Sequence, residues 1–251
     1  MNLVILTNQD RVGKDRYVLT DHRATHIREV LKGHAGATVE VGLVDGPVGT
    51  AAIELTDDRQ VVLSCSDWCE APIPRLTVDL VCAIPRPKTL RKVLILAATM
   101  GVRCVHFVRA NRTEKSYLQS PWLNPEQQLP FLLIGLSQGR QTRLPEVNVW
   151  PLFRPFVEDT FPDRENREGV LSVKLLCDPG SDIRLTDLDI NWCGVRFVVA
   201  IGPEGGWVPF ETGLLEKAGF QRFSIGPWTL RVETAVAAAL AQLGLVSGKD
   251  K

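Results

Sequence analysis

The sequence lacks most of what would mark a metal site, a membrane anchor or a secreted scaffold. No apolar run among its 251 residues is long enough to cross a bilayer. The opening stretch "MNLVILTNQDRVGK" has neither the basic lead nor the cleavage site of a secretory signal, so a cytoplasmic protein without a membrane partner is expected. Its six cysteines (Cys65, Cys69, Cys82, Cys104, Cys177, Cys193) form no CxxC pair and read as reduced thiols. Histidine is scarce, at four residues. His22 and His26 could share a helix face, but no third ligand lies nearby, and no metal is expected. There is no Walker Gly-Lys-Ser/Thr loop and no GxGxxG fingerprint, which argues against a site built on nucleotide phosphates. Internal repeats and low-complexity tracts are absent too.

Net charge is zero, but it is unevenly spread. Residues 1–72 carry 7 basic and 11 acidic side chains, and residues 144–251 carry 11 and 15. Between them, residues 86–143 hold 10 basic and 2 acidic residues. Such a local excess fits either a polyanion footprint or a solvated helix face.

Two regions differ in pattern. Residues 1–72 offer short β-rich runs, "LVILT", "RYVLT", "ATVEVGLV", "TAAIEL" and "QVVLSC", separated by Gly, Asp and Pro turns. Within them "DHRATHIREVLKG" begins on an acidic cap and stops at Gly33, as a helix does. The proline-rich "EAPIPRL" reads as a linker. Residues 73–251 alternate instead: strands in "LTVDLVCAIP", "VRCVHFVRA", "LSVKLLCDPG", "RFVVAIGPEGG" and "RFSIGP", and helices in "KTLRKVLILAATMG", "PEQQLPFLLIGLSQG" and "TAVAAALAQLGL". That alternation predicts a parallel sheet covered on both faces, an α/β domain behind a small β domain. Residues 151–169 have no period and read as a connecting insertion.

Three strand ends are punctuated alike: "LLCDPGS", "AIGPEGG" and "SIGPWTLR". In open parallel sheets ligands sit outside the carboxyl ends of the strands. Glycine lets backbone come close to a ligand and proline stiffens the turn. Three such ends together predict a rigid pocket rich in backbone N–H and C=O groups, able to read an adenine edge.

The pair "IGPEGGW" and "IGPWTLRVETAVAAAL" resembles the signature of the RsmE family of RNA methyltransferases, in the SPOUT superfamily. "THIREVLKGHAGATVEVGLVDG" is similar to that family's small PUA-like N-terminal barrel, and "LSQGRQTRLPEV" to a stretch before its C-terminal trefoil knot. The resemblance implies S-adenosyl-L-methionine (S-adenosylmethionine below) as cofactor, a homodimer, and methylation of a uracil N3 in 16S rRNA of the small ribosomal subunit. Carried over to this chain, the cofactor loops would run from Leu176 to Gly180, with Cys177 and Asp178; from Ile201 to Gly206, with Gly202, Pro203, Glu204 and Gly205; and from Ile225 to Arg231, with Gly226, Pro227 and Leu230.

Removing a proton from N3 calls for a base or a cation that stabilises the anion. Arg231 could be that cation or pair with Glu233 or Glu204. Glu204 could be a base or could cap its turn. Arg86, Lys88, Arg91, Lys92, Arg109, Arg112, Lys115, Arg140 and Arg143 are the expected phosphate contacts, and such contacts position RNA without reading it. The chain departs from the family at "IPRPKTLRK", at Met100 and at Leu136, as a divergent branch would. A non-catalytic RNA-binding or ribosome-assembly protein on the same fold, a methyltransferase acting on another RNA position, and a small-molecule enzyme stand as alternatives.

Overall fold

The five short N-terminal runs form one curled mixed sheet, a half-barrel. In the computed structural model, which describes residues 3–69, 77–162, 172–190 and 195–247, these strands are β1 (Val4–Leu6), β2 (Arg16–Leu19), β3 (Thr38–Leu43), β4 (Val48–Thr56) and β5 (Val61–Cys69). Their order is β1-β3-β4-β5-β2, with β1 parallel to β3 and the other neighbours antiparallel. Alternation along β4 buries Gly49, Ala51 and Ile53 and exposes the residues between them, as a half-solvated sheet requires. Helix α1 (His22–Glu29) starts where the acidic cap places it, since the Asp21 carboxylate accepts the Arg23 N–H at 2.9 Å. Its Arg23 is only 7% exposed and forks onto both oxygens of Asp10 at 2.7 and 2.8 Å, so it braces the half-barrel from inside.

The linker "EAPIPRL", with the expected boundary at residues 72 and 73, lies outside the described residues. So do Cys193 and the insertion from residue 163 to its end.

The alternating region forms a six-stranded parallel sheet. Its strands are β6 (Val78–Ala83), β7 (Cys104–Val108), β8 (Glu146–Trp150), β9 (Ser172–Cys177), β10 (Arg196–Ile201) and β11 (Gln221–Phe223), in the order β11-β9-β10-β6-β7-β8. Strand β6 is buried at every residue, as a central strand covered on both faces must be. One face packs α2 (Pro87–Thr99), α3 (Pro125–Gly139) and α5 (Val232–Ser247) around Leu80, Leu94, Phe107, Leu136 and Leu240. The other packs α4 (Pro209–Lys217) and a short helical segment starting at Phe153 around Phe156, Leu176, Val198 and Leu215. Strand β8, helix α4 and that helical segment were not expected from sequence. Strand β8 is a short, half-buried edge, and Pro209 starts α4 directly after the Gly-rich turn.

Two features fix the rest. Helix α3 rides on the backbone of α2: a Cβ on Gly135 would lie 2.3 Å from the Ile95 carbonyl, and one on Gly139 would lie 2.0 Å from that of Thr99. Pro130 sits inside α3 without ending it. The half-barrel is locked to this helix, with Ser137 Oγ donating to the Leu3 carbonyl at 2.5 Å. Leu3 and Ile5 join the core under the parallel sheet.

The strand order carries the functional consequence. Strands β11, β9 and β10 are neighbours and parallel, so their three Gly/Pro-punctuated ends emerge side by side on one edge of the sheet.

Candidate active site

At that edge the three loops enclose a cleft of about 720 Å³, within the range of small-molecule sites. Of the residues expected to bind cofactor, it brings together Cys177, Asp178, Ile201, Gly202, Pro203, Glu204, Gly205, Gly206, Leu230 and Arg231. Ile225, Gly226 and Pro227 line a neighbouring groove on the far side of the β11 loop, beside Trp228 and Leu245. Leu176 is buried in the core under the sheet, and Gly180 lies exposed beyond the cleft, its N–H held by Asp178 Oδ1 at 2.9 Å. Trp207, Thr212 and Arg222 also line the cleft and were not expected to; Thr229, inside the expected Ile225 to Arg231 loop, and Ala235 line it as well. Trp207 follows directly on the GPEGG turn, so it was within reach of sequence reasoning.

The turn after β10 is held from two sides. Glu204 Oε1 accepts the backbone N–H of Arg86, the residue capping α2, at 3.1 Å. The Arg112 guanidinium donates to the Gly205 carbonyl. A Cβ on Gly205 would lie 3.1 Å from Arg112 Cδ, and Gly206 has φ +73°, a conformation that favours glycine. The glycines of this turn therefore serve a bracing arginine and a reversal of chain direction as well as the cleft they border.

Next to the cleft lies a second hollow of about 730 Å³. It shares Glu204, Arg231 and Val232 with the first and adds Arg86, Lys88, Lys92, Tyr117 and Trp122. The Arg86 guanidinium lies 4.0 Å from Glu204 Oε1, and the neighbouring Tyr117 raises its pKa. Arg91 stacks over Trp122, 4.7 Å from the ring centre. Lys92 pairs with Glu233 at 2.9 Å, and this pairing lowers the Glu233 pKa. With Glu204 on the Arg86 amide and Glu233 on Lys92, the exposed guanidinium of Arg231 makes no side-chain hydrogen bond or close ion pair among the described residues, although its charge helps to lower the Glu233 pKa. It stands on the wall common to both hollows.

The other expected phosphate contacts divide. Arg140 makes a bidentate pair with Glu40 at 2.8 Å for each bond and so ties α3 to the half-barrel. Arg112 braces the turn. Lys115 and Arg143 are exposed, and Arg109 borders a smaller hollow beyond the turn.

The cleft's chemistry fits S-adenosylmethionine. Ile201, Pro203, Leu230, Val232 and Ala235 supply apolar walls, and the loops supply backbone groups. Of its two arginines, Arg222 is already paired with Asp178 at 2.9 Å and Glu216 at 2.6 Å, so no cluster of cations waits for phosphates. Cys177 is no nucleophile here, because burial pushes its thiol up to about 12. Among the described residues no group of three or more His, Cys, Asp or Glu side chains could hold a metal ion, and no helix is long and apolar enough to cross a membrane.

A curled half-barrel on an α/β domain, with a loop-built cleft at the carboxyl edge of a parallel sheet, is an arrangement consistent with the RNA methyltransferase family that the sequence resembles. A family model described as an RNA methyltransferase domain matches residues 72–244. The ribosomal RNA small subunit methyltransferase E of Treponema pallidum is 32% identical over 244 residues, which is 95% of this chain and 89% of that protein. Ribosomal RNA small subunit methyltransferase E 1 of Borreliella burgdorferi is 27% identical, with 95% of each chain covered. Among solved structures, the enzyme of the same name from Neisseria gonorrhoeae, bound to S-adenosyl methionine, superimposes with a TM-score of 0.76 at 18% identity over 99% of this chain and 100% of that one. The chain belongs to the RsmE family of RNA methyltransferases.

Proposed function

We propose that this protein is an S-adenosylmethionine-dependent methyltransferase acting on N3 of a uridine in 16S rRNA of the small ribosomal subunit, in the cytoplasm. The observation that carries this reading is the shared wall: a cleft suited to the cofactor abuts a cationic, aromatic hollow, and Glu204, Arg231 and Val232 face both.

S-adenosylmethionine, held by the loops after β9, β10 and β11, supplies an electrophilic methyl group on a sulfonium sulfur. The protein's own part is placement and charge. Tyr117 and Trp122 offer ring faces for an unstacked base, and Arg86 and Lys88 offer cations for its phosphates. Arg231, hydrogen-bonded to no carboxylate, stabilises the anion left when N3 loses its proton. Glu204, committed to the Arg86 amide, acts as a tether and not as the base.

In this reading residues 1–72 form an RNA-binding domain and residues 73–251 the methyltransferase domain. A homodimer belongs to it too. Trp228 and Leu245 stand 66% and 70% exposed beside a groove lined by Ile225, Pro227 and Val246, which suits burial against a second copy. Light scattering should give twice the chain mass.

The activity is tested by calorimetry with S-adenosylmethionine, followed by tritium transfer to small-subunit rRNA. Binding with transfer supports the proposal. Binding to both ligands without transfer would favour a non-catalytic RNA-binding protein.

A further inference from the structure

A third hollow, of about 420 Å³, adjoins the same turn and takes no part in the chemistry above. It lies between the end of β7, the segment after β8 and the start of α4. Phe210 stands 60% exposed there and Leu152 58%, although both are large and apolar. Arg109 borders it half-buried, with no hydrogen bond or ion pair for its guanidinium among the described residues. The side-chain amide of Asn111 is likewise unpartnered among them.

The walls are rigid. Glu211 is 3% exposed, and its two oxygens accept the Asn111 N–H at 2.6 Å and the Val208 N–H at 3.0 Å. That carboxylate is committed to backbone donors, and it fixes β7's exit against α4. Three residues beyond Arg109, Arg112 grips the Gly205 carbonyl, so the hollow is coupled to the wall of the cofactor cleft.

We infer that this hollow seats an unpaired RNA nucleotide flanking the one that is methylated, its base stacked on Phe210 and its phosphate on Arg109. The inference rests on the RNA-methyltransferase reading. An exposed aromatic face beside a free guanidinium and a free amide matches the three parts of a nucleotide: ring, phosphate and base edge. Charge favours the same occupant, since Arg109 belongs to the segment with 10 basic and 2 acidic residues. An apolar protein partner would have to bury Arg109 without a counter-charge.

The test compares Phe210→Ala, Phe210→Leu, Phe210→Tyr and Arg109→Gln by methyl transfer to small-subunit rRNA, with S-adenosylmethionine affinity and light scattering beside it. Phe210→Ala should raise KM for RNA about tenfold, within the contribution of one base–aromatic stack, with kcat and cofactor affinity held. Phe210→Tyr should restore KM, because it keeps a ring face, and Phe210→Leu should not. Arg109→Gln should flatten the slope of log KM against log salt by about 0.7, the share of one single-strand phosphate. An unchanged KM in Phe210→Ala, full rescue by leucine, or a change of molecular mass overturns the inference; the last makes the hollow an interface between copies. An active wild type with silent Phe210 variants removes only this subsite. A wild type that binds cofactor but methylates no RNA removes the functional reading and the subsite with it.

Discussion

Glu204 Oε1 sits 3.1 Å from the backbone nitrogen of Arg86, joining the turn after β10 to the cap of α2 across 118 residues of sequence. One bond thereby sets the distance between the loop that walls the cofactor cleft and the helix that opens the cationic hollow.

A tether and a base respond differently to amidation. Glu204→Gln keeps an oxygen that can accept the Arg86 N–H, so it should retain most single-turnover activity. Glu204→Ala loses that bond, at a cost of about 1 kcal/mol, or roughly fivefold in S-adenosylmethionine affinity measured by calorimetry. If the Gln variant is as inactive as one lacking a general base, the tether assignment is wrong.

Arg231 is the cation on the shared wall that no carboxylate holds by a hydrogen bond. Arg231→Ala should lower the single-turnover rate by about 10²–10³, the usual loss when one charge-stabilising donor is removed. Cofactor affinity and RNA affinity should move only a few-fold. An unchanged rate with RNA still bound would assign the catalytic cation elsewhere.

The seating of α3 on α2 leaves no room for a methyl group. Gly135→Ala would place a Cβ 2.3 Å from the Ile95 carbonyl, a backbone atom that cannot swing aside. Urea unfolding should show a loss of about 1–3 kcal/mol, typical of overpacking. The half-barrel hangs on α3 through Ser137, so the same change should also loosen its attachment.

Stability should fall toward acid in part through Glu233. Lys92 holds its pKa below the ordinary 4.5, so the ionised form is favoured in the folded chain. The sign follows: this stabilisation is complete above pH 4.5 and is lost as pH drops through the depressed value. Glu233→Gln should lower Tm at neutral pH and flatten the Tm profile between pH 5 and about 3. Equal slopes in the two proteins would mean that the pair contributes nothing.

Where hydrophobic period was strong, the sequence was a good guide. The five β runs, the capped α1, the amphipathic α2 and the three Gly/Pro-ended strands lie where patterning places them. The meeting of those ends was legible only in part, because adjacency of β11, β9 and β10 is a property of strand order and not of any local motif. Strand β8 escaped notice because an edge strand of five residues with half-buried side chains has little period to offer. Helix α4 was hidden behind the GPEGG signature, whose glycines and prolines read as loop. The functions of arginines were least legible. Arg112 and Arg140 look like RNA contacts in a charge count, yet each is engaged with a carboxylate or carbonyl that only the fold brings near.

The most direct test of the whole account is mass spectrometry of nucleosides from small-subunit rRNA after incubation with the purified protein and methyl-labelled S-adenosylmethionine. Label is expected in N3-methyluridine, accumulating about 10²–10³ times more slowly with Arg231→Ala. Label confined to a different nucleoside, or none in RNA despite cofactor binding, would contradict it.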